Sequence, residues 1–244
     1  MNEGAPTPTP SLTVLRAGAR LLSFRLSRDE LLALDRRHLA FGFVMTWLAG
    51  AGRYWDHPDA ELLQYLGVGS LVYVLLLASF LWLLIWPLRP EDWRFSRVLT
   101  FVTLTAPPAL LYAIPVERFM SLPAAQKANF WFLAVVALWR VALLLWFLIR
   151  LGRLPAYIAV VATFLPLALI VIALATLNLE HAVFEFMSGM RQPGTANDGA
   201  YAVVMLLAFL AFAAGPLLIL IYMFAVVGRW SRKSREPTKP REPT

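Results

Sequence analysis

Residues 134–147 read AVVALWRVALLLWF, an apolar helical run interrupted only by Arg140. The run belongs to a longer segment, 130–149, whose length matches the roughly 20 apolar residues that cross a bilayer. Arg140 then falls at its centre, where a guanidinium costs about 2.5–3.5 kcal/mol on insertion scales. Reading this stretch as a membrane span decides the fold class, and the composition agrees with it. The 244 residues are 59% hydrophobic and 15% charged, with a mean hydropathy of +0.65. Soluble domains have roughly 45–50% apolar and about 25% charged residues. Cysteine is absent, which excludes disulfides, thiolate metal sites and cysteine nucleophiles.

Outward from 130–149, four more segments are long and apolar enough to cross: 66–88, 98–114, 156–178 and 201–227. A sixth, 38–55, has only fourteen charge-free residues, 39–52, a length equally suited to an interfacial helix. Charge decides the matter. Arg16, Arg20, Arg25, Arg28, Arg36 and Arg37 precede the first segment, and Arg89, Arg94, Arg97, Arg150 and Arg153 fill alternate turns. Six more Lys or Arg close the chain, while the other side receives only Arg53, Arg118, Lys127 and Arg191. Lys and Arg remain cytoplasmic, so seventeen against four predicts both termini inside and an even number of spans. The expected architecture is an all-α, six-span inner-membrane bundle. The charge of +7 is thus sorted by membrane side, which excludes a nucleic-acid partner. Arg36-Arg37 followed by an apolar run and Ala49-Gly50-Ala51 mimics a cleavable signal, but five further segments make it an anchor.

The ends are polar. MNEGAPTPTP (1–10) and the basic tail 229–244, with its repeated REPT, have too much proline and charge to pack and are expected to be disordered. Between them, residues 11–37 form a basic arm. Leu12, Leu15, Ala19, Leu22 and Leu26 recur at helical spacing, which predicts an amphipathic helix on the cytoplasmic leaflet. Ser27 and Glu30 form a capping box, stapled by Leu26 and Leu31.

Arg140 has no acidic partner in any segment. Proline supplies another kind. Pro107 and Pro108, Pro166 and Pro216 lie near the middle of three segments, and each removes a helix bond to the carbonyl four residues earlier. The carbonyls of Thr103, Leu104, Ala162 and Phe212 are therefore expected to be freed at similar depth. Three readings follow: Arg140 clamps kinked helices, it forms a site for an anionic ligand, or it snorkels into lipid. Thr100, Thr103, Thr105 and Tyr112 add hydrogen-bonding groups to the third segment. Ala208, Ala211 and Gly215 give the sixth a small-residue face for close packing.

On the far side, His57, His181 and Glu185 could bind a divalent ion or join a surface ion-pair cluster with Arg191 and Arg118, and the second is expected. No cofactor, metal or nucleophile motif is predicted, and GVGS (67–70) reads as a helix start.

TFVTLTAPPALLYAIP (100–115) and LWFLIRLGRLPAYIAVVATFLPLAL (145–169), behind a polar arm, resemble the Yip family of small multi-span membrane proteins. The likeness covers about residues 39–227, although Yip proteins typically have five spans. TWLAGAGRYWDHP (46–58) and LYAIPVERF (111–119) are also similar to a group of bacterial inner-membrane proteins. The Yip resemblance implies a role in membrane organisation or partner recruitment and carries over no functional residue. The expected function is therefore a non-enzymatic membrane-organising or partner-binding protein, with lipid, a protein partner or a second copy as its contacts. The alternative is a small transporter or channel-like protein that handles an anionic solute or lipid head group through Arg140.

Overall fold

Long apolar runs with few strand signals fold as helices, and among the described residues no strand occurs. The computed structural model describes residues 13–55, 62–177 and 198–234. The expected disorder of 1–10 and of the tail beyond residue 234 lies outside that description, whereas residues 229–234, expected in that disordered tail, continue the last helix. The helices are α1 (Val14–Leu22), α2 (Arg28–Leu32), α3 (Arg36–Gly52), α4 (Leu62–Tyr65), α5 (Val68–Ile85), α6 (Phe95–Leu104), α7 (Leu122–Arg150), α8 (Ala156–Thr176) and α9 (Asp198–Ser234). Short 3₁₀ turns cover Trp86–Leu88, Pro107–Ala113 and Val116–Arg118.

Four helices are long and apolar enough to cross a membrane: Val68–Leu88, Pro123–Arg150, Ala156–Thr176 and Leu206–Ser231. The first and third expected spans take another form. α3 has 17 residues, and α6 has ten before the chain turns into Pro107–Ala113. These two short elements pack side by side in parallel. A Cβ on Gly42 would overlap Thr103, and ten residues later one on Gly52 would come within 2.9 Å of Ala113. Lipid offers no hydrophobic drive between helices, so small residues that let backbones approach set these contacts. Gly50 meets Ser70 of α5 in the same way.

α6 is the centre of the bundle, with every residue from Val98 to Ala106 buried. α3 and α5 pack on it, and α9 packs along α8. The expected small-residue face is used there: Ala208 and Ala211 are buried, and Gly215 would place a Cβ 3.0 Å from Ile172.

The arm packs on the bundle through one face of α1 and leaves Leu15 and Ala19 outward. Its capping box forms as read, with Ser27 accepting from the Glu30 N–H and Glu30 accepting from the Ser27 N–H. The buried face of α1, however, is Ala17, Gly18 and Leu21, while Leu15 is 71% exposed. Leu21, Leu26 and Leu31 join the same core as Phe147, Leu148 and Leu151. Apolar periodicity gave the helix, and the bundle takes up the face that fits against Phe41 and α7.

One end of the bundle is tied together. Arg28 bonds Glu91 at 2.8 Å and Asp92 at 2.7 Å, Asp92 also pairs with Arg97 at 3.0 Å, and the Glu91 N–H donates to Gly152. Arg229 donates to the Arg89 carbonyl, and Arg89 lies 3.7 Å over the Trp230 ring. The arm, residues 89–94, the turn after α7 and the end of α9 therefore share this tail end.

Candidate functional site

The site begins where α6 stops. Neither Pro107 nor Pro108 has an N–H to continue the helix. The chain tightens instead: Ala106 N–H donates to Thr103 at 3.0 Å and Ala109 N–H to Ala106 at 2.8 Å. The Thr105 carbonyl is left without a backbone donor, since three residues on stands Pro108 and four on stands the engaged Ala109. Arg140 Nε donates to it at 3.1 Å. The arginine thus meets a proline-freed carbonyl, as expected, but that of Thr105 rather than Thr103. It also caps the negative end of α6, where a cation is favoured.

The expected companions divide. Pro107 and Pro108 shape the site. Pro166 and Pro216 lie inside continuous helices, so neither breaks its helix. Each costs bonds locally, and the rest of the helix and its neighbours hold the line. Thr103 is a packing residue: its hydroxyl donates to Thr100 at 3.0 Å and its side chain lies against Gly42. Thr100 and Thr105 likewise bond the carbonyls of Ser96 and Val102. A threonine whose hydroxyl is satisfied within its own helix has no donor left for a neighbour.

Arg140 is half-buried, and its Nη1 and Nη2 have no hydrogen-bond partner among the described residues. The ionisable groups that act on its charge are Tyr73 of α5, Tyr112 and Arg53, with no described carboxylate among them. Arg53 stands 4.7 Å from the Tyr112 ring centroid. Helical side chains lean toward the N-terminus of their helix. α3 and α7 run in opposite directions, so Arg53 leans toward the tail end and Arg140 away from it. Arg53 faces the Tyr112 ring, and the Tyr112 hydroxyl is among the groups that act on the Arg140 charge. Sequence reading counted Arg53 only among the far-side charges and passed over Tyr73, because nothing in the spacing links α3 and α5 to residue 140. The opposed Arg53 and Arg140 were the available signal.

Beside the site, Trp139 Nε1 donates to the Leu22 carbonyl of the arm at 2.9 Å. Chemically, the Arg140 guanidinium, with no carboxylate near it among the described residues, suits a carboxylate, phosphate or sulfate group.

The far-side candidates His57, His181 and Glu185 lie outside the described residues, as does Arg191. Arg118, expected among carboxylates, lies 5.1 Å over the Trp55 ring. Among the described residues no group of three or more His, Cys, Asp or Glu could hold a metal. Comparison with protein-family models, curated proteins and solved structures finds no match to this chain.

Proposed function

We propose that this is a non-enzymatic integral membrane protein that binds an anionic group, from a solute or a lipid head group, at Arg140 and Tyr112. The observation that carries the proposal is the half-buried Arg140 guanidinium, held by one carbonyl through Nε, with no partner for either terminal nitrogen among the described residues. A pure clamp between helices would use more of its five donors. A bacterial inner membrane with six crossings, and with the tail end in the cytoplasm, belongs to the same proposal. The gathering of the arm, residues 89–94 and the end of α9 supports that sidedness, since these segments carry half of the Lys and Arg. Partner recruitment by the arm draws less support, because Leu21, Leu26 and Leu31 are already buried in the bundle.

The test is thermal unfolding of purified protein against inorganic phosphate, sulfate, short carboxylates and anionic lipids. Wild type should be stabilised by at least one of these, and Arg140→Gln should fold without responding. An equal response in both proteins overturns the proposal.

A further inference from the structure

The geometry points to the N-terminal arm as a lipid-binding element: α1 lies within the tail-end leaflet, and free arginines of the arm hold the phosphates of anionic lipids. This surface is separate from the Arg140 site and uses none of its residues. The depth of the arm follows from its contacts with α7, whose apolar run stops at Arg150. The Leu22 carbonyl accepts from Trp139, eleven residues before that end, and Phe24 meets Trp146, four residues before it, edge-on. At 1.5 Å per residue these levels are about 16 and 6 Å from the tail end. Half of a hydrocarbon core is roughly 15 Å. Farther back on α1, a Cβ on Gly18 would lie 3.6 Å from Phe41, five residues beyond the start of α3. The arm then returns to the tail end, where Arg28 bonds Glu91 and Asp92.

α1 has three faces. Ala17, Gly18 and Leu21 are buried against the bundle. At 3.6 residues per turn, Leu15, Ala19 and Leu22 fall on one flank of that face, and Arg16 and Arg20 on the other. Arg20 fixes which flank is which. It pairs with Glu30 of α2, the helix whose Arg28 is tied to the tail end. The basic flank therefore faces the tail end, and the apolar flank faces the bilayer centre. Leu15, 71% exposed, and Phe24, 40% exposed, are turned to acyl chains. Phe24 closes α1 at a φ of 61°, a conformation that favours glycine. An aromatic side chain there is strained, and what it gains is a ring set between Trp146 and lipid.

The protein's own carboxylates take Arg20, Arg28 and Arg97. The side chains of Arg16, Arg25, Arg36 and Arg37 are exposed and make no hydrogen bond or ion pair among the described residues. Of the arm's carboxylates, Glu30 and Asp35 are engaged by Arg20 and His38, which leaves Asp29 against these four. Basic residues beside an interfacial helix attract anionic head groups, by about fivefold for each one near the surface. A soluble protein partner would meet the arginines and miss Leu15, which faces the other way.

The chain contains no cysteine, so single labels report on the full-length protein in nanodiscs of phosphatidylcholine with or without phosphatidylglycerol. A nitroxide at Leu15→Cys should collide with oxygen and be shielded from a water-soluble nickel chelate, and one at Asp29→Cys should show the reverse. Energy transfer from a fluorophore at Ser23→Cys should show head-group-labelled phosphatidylglycerol enriched at least fivefold over labelled phosphatidylcholine. Changing Arg16, Arg25, Arg36 and Arg37 together to Gln should abolish that preference, and each single change should lower it. The same four changed to Lys should keep it, which guards against a folding defect, and Arg140→Gln should leave it intact. The inference is overturned if the Leu15→Cys label is open to the chelate, which would give that flank to water and a soluble partner. It is also overturned if wild type shows no preference or the fourfold Gln variant retains it. Loss of the preference in Arg140→Gln would overturn it too, and would assign the lipid to the central site.

Discussion

The carbonyl of Thr105 accepts from Arg140 Nε at 3.1 Å, across 35 residues of chain. A charged hydrogen bond of this kind contributes about 1.5–3 kcal/mol. A guanidinium at the centre of a span costs about 2.5–3.5 kcal/mol on insertion scales. The two nearly cancel. Arg140→Leu should therefore change unfolding stability in detergent by no more than about 1 kcal/mol, while any stabilisation by anions is lost. A drop of several kcal/mol would make the arginine a clamp.

Helix contacts through glycine respond in a different way. Gly42→Ala drives a methyl into Thr103 and Gly50→Ala drives one into Ser70. Overpacking of this sort costs about 1–3 kcal/mol. Gly228 of α9 has nothing within 4 Å of a built Cβ, so Gly228→Ala should raise stability by up to about 1 kcal/mol through helix propensity. Denaturation midpoints of the three variants would separate these outcomes.

The prolines can be sorted by substitution. Pro216 is exposed inside a continuous helix, so Pro216→Ala should stabilise or leave the protein unchanged and keep its anion response. Pro108→Ala restores a donor three residues beyond Thr105, which lets the backbone compete with Arg140 for that carbonyl. The expected result is a folded protein with a weakened anion response in the same thermal assay.

Acid should loosen the arm before the bundle. Hydrogen bonding from the Ser27 backbone, with Ser27 Oγ and Arg20 assisting, holds the Glu30 carboxyl below the usual glutamate value. The hydrogen bond with His38, helped by the N–H groups of His38 and Arg37, lowers that of Asp35. A depressed carboxylate stabilises the fold above its unfolded pKa, and that contribution is lost as pH falls through the folded value. The local fold of the arm, held by these bonds, should thus persist above the ordinary carboxylate range and weaken below it. A nitroxide at Ser23→Cys, which is exposed, should become more mobile on that descent, and Glu30→Gln should show the mobile signal at neutral pH.

The helices were legible because apolar length and capping residues are local properties. Ser27 and Glu30, the small face of α9 and the break at Pro107 follow from the sequence. What could not be read was partnership. Pro107 and Pro108 marked a freed carbonyl, but whether Thr103 or Thr105 supplied it depended on how Ala106 and Ala109 tightened the turn. Pro166 and Pro216 carry the same signal as Pro107 without its effect, since a single helical proline can be absorbed where two in succession cannot. The face α1 buries depended on Phe41 and α7, far along the chain.

The bond from Trp139 to Leu22 spans 117 residues, which gives the newborn chain a waiting period. A ribosome adding about 5–20 residues per second needs roughly 6–23 s to make the partner of an arm already synthesised. Through that interval Leu21, Leu26 and Leu31 have no bundle to enter, and Arg28 has neither Glu91 nor Asp92 until the later part of it. An early-made segment is thus among the last to find its place.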